Sequence, residues 1–549
     1  MIMKNNRIMF RWEFWMFVLV SFAVSLLLYK NLFNTFYQQD EWMALGYFFG
    51  YGPIGTLTGV PLYRLAVGVG RPFIWPLHVL FYWLLPFQMW PLALFSLLVQ
   101  PMIGILVFII AYLLTGSMIG AWIAGLFFLL SYNGSQTVSW FATSTVTLSS
   151  TFFGLLSVIF LLIYIRNKRI WHLVAAQMSV IFSYFFKESG FMFVLFLPFL
   201  YIVMEKGKKI AIKALHIFSP IIIYFSFAIF MKTSQLLTPV YQDDKFVGRS
   251  SGGFFKIIEN ALFYPILSFS QLFIPFSLIK KINPNLAEIS FKTDTIFVGL
   301  SIILLILVAF SIYFFKKDRK PLILSLVFTL CSFVPYAVLE RGASYLSLRY
   351  FYVGMVGASL LVGTYASIVW RKLLRTSRMV QITVCMLSLL FILFYAYKNI
   401  QFIGRDVKLQ VLDARERTVI LSEIKRLYPT LPKNPVFYIT GDHPGYYYVK
   451  NQKVPFQQGM GYTLMVWYYP SGEIGNDLLR TQSVFFWDIT AQGYQEVNKN
   501  GFGYYWDKEV LLSDLEKKKF SKDQIVSFYY FGGDRKLIDM TNAIQNELP

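Results

Sequence analysis

Apolar stretches of around 20 residues, each long enough to cross a bilayer core as a helix, recur through the first 400 positions and are closed by short basic clusters. Basic clusters mark the cytoplasmic side of a membrane protein. Lys4, Arg7 and Arg11 precede the first apolar segment, about Trp12–Tyr29, and no small-residue cleavage site follows it, so it reads as an uncleaved first span. Arg166-Asn-Lys-Arg169, Lys206 with Lys208 and Lys209, Lys316-Lys-Asp-Arg-Lys320, and Arg371-Lys-Leu-Leu-Arg375 with Arg378 then fall on the same side. Between them the stretches 171–186 and 189–204, 211–231 and 296–315, and 321–339 and 350–370 form three out-and-back pairs, and 379–397 leads outside. The region 73–165 begins outside and ends inside, so it crosses an odd number of times. Three crossings give 11 spans and five give 13; prolines 72, 76, 86, 91 and 101 blur the boundaries, and 11 is the preferred count.

Three regions are then expected to face outward. The first, 31–72, is rich in glycine and aromatics and should hold short interfacial helices. The second, 232–295, contains an apolar stretch at 261–279 that lies in the interface or re-enters it, because a full crossing would flip every later basic cluster. The third is the tail, 401–549, where apolar runs shorten. Periodicity predicts a helix from Asp413 to Leu427 ended at Tyr428-Pro429, then strands at Val436–Ile439, Tyr462–Tyr469 and Val484–Ile489. The fold class is therefore mainly α: a polytopic transmembrane helical bundle over 1–400, followed by an extracytoplasmic α+β domain over 401–549.

Composition supports this class. The chain of 549 residues is 56% hydrophobic and 14% charged, with a formal charge of +21. Residues 401–549 carry 18 basic and 17 acidic side chains, so the excess sits in the clusters between apolar stretches. That distribution orients a membrane protein and gives no support to nucleic-acid binding. Cys331 and Cys385 both lie in apolar stretches and read as small hydrophobes. Neither a P-loop nor a Gly-x-Gly-x-x-Gly before a helix is present, so a soluble nucleotide site has no motif behind it.

The chemistry-bearing residues are few. Asp40 and Glu41 form an acidic pair in Phe36-Tyr-Gln-Gln-Asp-Glu-Trp42, just beyond the first span. Gly70-Arg-Pro72 closes the same outward loop, and Ser347-Leu-Arg-Tyr-Phe-Tyr352 opens a late span with Arg349 on the side where basic residues are disfavoured. Together with the large loop 232–295, these features resemble the polytopic membrane glycosyltransferases that use polyprenyl-phosphate sugars. That is the GT-C type, akin to protein O-mannosyltransferases and lipid A aminoarabinose transferases. The resemblance covers roughly residues 10–400 and rests on the order of the pieces.

It implies a polyprenyl-phosphate-linked sugar as donor, and transfer with inversion to a protein, lipid or cell-wall glycan. Asp40 is then the general base, with Glu41 orienting the acceptor or Asp40 itself. Arg71, Arg349 and Lys187 are the candidate donor-phosphate ligands, since guanidinium makes planar bidentate contacts to phosphate. Tyr350, Tyr352, Glu188, Asp243, Asp244 and Arg341 are candidate contacts to donor or acceptor.

Each has a plainer reading. The two carboxylates can be solvated loop residues, Arg71 can snorkel or pair with Glu41, and Arg341 can pair with Glu340. Lys187-Glu188 can be a turn pair that satisfies itself, the tyrosines can belong to an aromatic belt, and Asp243 with Asp244 can simply be solvated. No metal ligand set is legible; a divalent cation held by Asp40 and a distant carboxylate stays open, and no other cofactor is called for. The expected location is a bacterial plasma membrane, with the N-terminus cytoplasmic and the tail outside. The rival functions are a transporter or flippase of a lipid-linked substrate, and a membrane-anchored glycan-binding or assembly protein. In the latter, aromatic stretches such as Gly501-Phe-Gly-Tyr-Tyr-Trp506 would meet glycan.

Overall fold

The computed structural model describes residues 12–38, 40–58, 71–205, 209–236, 253–274, 276–285, 290–339, 348–442, 459–480, 491–532 and 534–548. Among these, eight helices are long and apolar enough to cross a membrane: Trp12–Asn34, Trp90–Thr115, Phe141–Asn167, Ile210–Ala228, Phe291–Phe314, Lys316–Val338, Arg349–Leu373 and Arg378–Leu427. Four shorter apolar helices accompany them, Ile74–Leu84, Met118–Leu130, Ile170–Phe186 and Glu188–Met204. The chain thus has a multi-pass helical architecture joined to a C-terminal domain that carries a β-sheet. A total of 11 spans requires three of the shorter helices to cross as well. At 1.5 Å per residue a 13-residue helix is only about 20 Å long.

Two compact units divide the described chain. One comprises Met1–Lys30, Leu62–Ile74 and Leu94–Arg405; the other comprises Asn31–Pro61, Trp75–Ala93 and Asp406–Pro549. The second unit therefore combines the segment carrying Asp40 and Glu41 with the tail, a grouping that the hydropathy pattern does not reveal.

Small residues let helices of the first unit approach closely. A Cβ on Gly363 would lie 2.4 Å from the Gly120 carbonyl oxygen and 2.7 Å from the Ala124 Cβ, so Met118–Leu130 and Tyr352–Leu373 pack backbone to backbone. This is the association expected inside a membrane, where close van der Waals contact replaces the hydrophobic drive. Because the obstacle is backbone, Gly363→Val cannot be relieved by a rotamer change. It should destabilise the protein by about 1–3 kcal/mol, and a fall in the thermal unfolding midpoint in detergent would register this. An unchanged midpoint would mean the two helices are not in this contact.

In the second unit the tail forms a five-stranded mixed sheet. Its strands are β1 (Val436–Gly441), β2 (Gly493–Val497), β3 (Asn500–Tyr505), β4 (Ile525–Phe531) and β5 (Lys536–Asp539), in the order β2-β3-β1-β4-β5. β1 runs parallel to both β3 and β4, while β2 and β5 pair antiparallel at the edges. Val436, Phe437, Tyr438 and Ile439 are all buried, as suits a central strand covered on both faces. Val436 and Tyr438 share a core with Tyr505, Leu511, Phe520, Ile525 and Leu548.

Several sequence expectations are corrected here. Tyr462–Tyr469 is expected as a strand, but Met460–Tyr468 is a helix. Its tyrosine, threonine and valine residues favour strands locally, yet nearly the whole segment is buried, and packing overrides that preference. Gly501–Trp506 is not a surface aromatic patch, because Phe502, Tyr504 and Tyr505 are buried on β3. The helix expected at 413–427 is real but starts far earlier, as the end of the continuous helix Arg378–Leu427. The strand expected at Val484–Ile489 lies outside the described residues.

Candidate functional site

The first unit gathers three cations. Helix Ile170–Phe186 ends at Lys187, whose backbone N–H donates to the Ser183 carbonyl at 3.1 Å before the chain tightens into the short turn Glu188–Gly190. Gly190 is required at that bend, since a Cβ there would come within 2.6 Å of the Tyr184 backbone nitrogen. The bend sends Lys187 and Glu188 to different partners. Lys187 Nζ donates to Thr147 Oγ1 at 2.6 Å, on the inner face of helix Phe141–Asn167. Glu188 instead accepts from Arg71 Nε, at 3.1 and 3.3 Å. Each member of the pair thus has a hydrogen-bond partner beyond the other, and for Glu188 that partner is Arg71.

Arg71 reaches this position through strained backbone. Its φ of 53° is left-handed, which costs a non-glycine residue on the order of 1 kcal/mol. The Phe73 N–H donates to the Phe185 carbonyl, and the Phe73 ring packs against Phe182, Phe185 and Phe186, which holds the strained residue beside the lysine turn.

Arg349 occupies the turn Leu348–Phe351 at the head of helix Tyr352–Leu373. Thr137 Oγ1 donates to its backbone carbonyl at 3.1 Å. Its guanidinium lies 4.6 Å from the Trp140 ring centre and 5.0 Å from that of Tyr350, and Nη2 donates to the Tyr350 hydroxyl at 3.2 Å. The Tyr350 ring also packs at 4.8 Å, tilted, against Tyr336 and lies 6.0 Å from the Lys187 ammonium. Trp140 Nε1 is buried with no hydrogen-bond partner among the described residues. Tyr352 is committed elsewhere: its hydroxyl donates to Gln100 in the helical core.

Lys187 is only 7% exposed. Burial, reinforced by Arg71 and Arg349, pushes its ammonium down to about 7 against the opposing pull of Glu188. Lys187 thus lies buried, at an electrostatic cost, in the field of two further cations with Glu188 set against them, and an anion bound beside it would relieve that cost.

The second unit holds the acidic pair at the start of helix Asp40–Thr58, which kinks at Gly52 before Pro53. Asp40 is half-buried, while Glu41 is 1% exposed and its Oε2 accepts from the Gln38 N–H at 2.7 Å. Glu41 is therefore not a solvated loop carboxylate. Its charge, after burial itself, pushes the neighbouring Tyr37 phenol well above its ordinary value.

Within the same unit, residues of the tail pack on this helix. A Cβ on Gly46 would meet the Tyr462 hydroxyl at 2.1 Å, Arg480 Nε donates to the Gly50 carbonyl at 2.6 Å, and Trp467 contacts Phe36, Trp42 and Phe87. The buried Arg417 donates to the Phe36 carbonyl at 3.4 Å.

No protein-family model matches the chain, and no curated protein does. Among solved structures, it is similar to the crystal structure of ArnT from Cupriavidus metallidurans bound to undecaprenyl phosphate. The identity is 11% and the TM-score 0.47, over 97% of this chain and 94% of that one.

The candidates thus fall into two groups: Arg71, Lys187, Glu188, Arg349 and Tyr350 in one unit, Asp40 and Glu41 in the other. Asp243, Asp244 and Arg341 lie outside the described residues. Sequence reasoning missed Thr147, Trp140, Tyr336 and Arg417. Only Thr147 left a legible trace, in the hydroxyl-rich run Thr143-Ser-Thr-Val-Thr-Leu-Ser-Ser-Thr151 inside an otherwise apolar stretch. Among the described residues no group of three or more His, Cys, Asp or Glu side chains is placed to hold a metal ion.

Proposed function

We propose that the protein is a membrane glycosyltransferase that moves a sugar from a polyprenyl-phosphate donor to an acceptor hydroxyl on the extracytoplasmic side. The observation that carries this reading is the buried Lys187 in the field of Arg71 and Arg349, with aromatic faces from Trp140 and Tyr350 beside the Arg349 guanidinium. Such a set suits a phosphate carried on a hydrophobic chain: guanidinium and ammonium groups bind the oxygens, and a low-dielectric setting strengthens each contact. Asp40 is the proposed base. The acceptor oxygen bonds to the anomeric carbon from the face opposite the leaving group, giving inversion. The bond from that carbon to the phosphate oxygen breaks with its electron pair, and the acceptor proton passes to the Asp40 carboxylate. Arg71, Lys187 and Arg349 stabilise the charge growing on the departing phosphate, so no partner acid is needed. The acceptor is a protein, a lipid or a cell-wall glycan.

The division proposed here is a transferase region over 1–400 and an extracytoplasmic domain over 401–549, in a protein of 11 spans with a cytoplasmic N-terminus. The test is binding and sugar release from a panel of radiolabelled polyprenyl-phosphate sugars by purified protein, beside Arg349→Ala. Removing a charged hydrogen-bonding partner of phosphate costs about 1.5–3 kcal/mol, so donor affinity should fall roughly 10- to 100-fold in the variant. A panel that neither binds nor turns over would overturn the reading and favour a transporter.

A further inference from the structure

Glu41 presents a problem that its position in the fold answers. A carboxylate at 1% exposure is costly to keep ionised unless a cation is placed with it. A cation whose field reaches it comes from the tail. Arg417, itself 5% exposed, lies on helix Arg378–Leu427 about 380 positions later in the chain, within the same compact unit. Its guanidinium donates to the Phe36 carbonyl; burial lowers its pKa below the ordinary value, and Asp413 first, then Glu41 and Glu416, offset part of that by favouring the charge. Glu41 in turn accepts from the Gln38 N–H, so the two oppositely charged side chains both hold the backbone at 36–38, immediately before Asp40. Aromatic packing closes the same segment: Trp42 Nε1 donates to the Tyr37 carbonyl at 3.2 Å, and Trp467, whose Nε1 donates to Leu421 on the arginine helix, packs on Phe36 and Trp42.

We propose that Arg417 is a positioning residue: with Glu41 it braces the first turn of helix Asp40–Thr58 from the tail and so fixes where the Asp40 carboxylate stands. The tail is then part of the transfer machinery, and Glu41 acts through Asp40. The inference rests on the transferase reading above, and the two can fail separately.

The test compares wild type, Arg417→Gln and Arg417→Lys in donor binding, turnover and hydrogen–deuterium exchange. Arg417→Gln should expose the amides of 36–42 to at least tenfold faster exchange, leave donor affinity within about twofold, and lower kcat by roughly 10- to 100-fold. Arg417→Lys, which keeps the charge, should recover part of kcat. A general loss of packing would instead speed exchange throughout the tail and give no such recovery. If Arg417→Gln does not fold, Glu41→Gln removes the other charge with little change of shape and is read the same way. Unchanged exchange at 36–42 overturns the brace outright. Full kcat in Arg417→Gln, in a protein where Asp40→Asn is inactive, overturns the positioning role and leaves the transferase reading standing; absence of donor turnover in wild type strikes at that reading instead, and the exchange result still decides the brace.

Discussion

Asp40→Asn should lower donor turnover by about 10²- to 10⁴-fold, the range a general base supplies, while donor affinity stays near that of wild type. Asparagine keeps the shape and hydrogen-bonding reach of the side chain but cannot take a proton at neutral pH. The split between kcat and affinity follows from the roles proposed for the groups. The cations proposed to hold the phosphate come from Arg71, Lys187 and Arg349 in one unit, and Asp40 belongs to the other. Glu41→Gln provides the contrast. Because Glu41 is buried and bonded to the Gln38 N–H, its loss should also lower the unfolding midpoint. Steady-state kinetics with a radiolabelled donor, alongside thermal unfolding, separate these effects. An Asp40→Asn enzyme with undiminished kcat would remove the base from this residue, and a loss confined to donor affinity would make Asp40 a binding group.

The membrane architecture was legible because its signal is long and redundant. Trp12–Tyr29, Phe291–Phe314 and the late helices follow from hydropathy, and the basic clusters check one another. Ile170–Phe186 was legible as the apolar stretch 171–186, whereas Met118–Leu130 fell in the ambiguous region 73–165, where only the parity of the clusters constrains the crossings. The tail was legible where periodicity is strong, as at Val436–Gly441, and misread where burial decides, as at Met460–Tyr468.

At the site, Arg349 could be singled out because it stands where a basic residue is disfavoured. Lys187 and Glu188 could be found as charges between apolar stretches, but not assigned. Which of them turns to Thr147 and which to Arg71 depends on the tight bend at Gly190, and bend geometry is not written in residue type. Arg417 had no signal at all: it is one cation among several on a charged helix, and only packing within the second unit buries it with Glu41.

Lys187 carries the second large effect, and it is a dependence on pH. Burial and the two arginines hold the free ammonium at about 7, so near neutrality the resting protein is a mixture of charged and neutral lysine. A glycosyl phosphodiester stays anionic across this range and favours the charged form. Donor binding therefore takes up a proton whenever the lysine starts neutral. The donor Kd should be flat below about 7 and then rise by roughly tenfold per pH unit until the lysine of the bound complex titrates. Lys187→Met should abolish that slope and weaken binding at pH 6 by about 10- to 100-fold.

Loss of the fold at higher pH cannot imitate this. A lysine whose ammonium is depressed in the folded protein binds its proton in the unfolded chain up to the ordinary value of 10.5. Its contribution to stability consequently increases as pH rises from about 7 toward 10.5, opposite in sign to the loss of donor affinity. Donor-binding isotherms between pH 6 and 9 in wild type and Lys187→Met decide the matter. A wild-type Kd that does not change with pH would remove Lys187 from the phosphate site, and a slope that survives in Lys187→Met would assign the titration to another group.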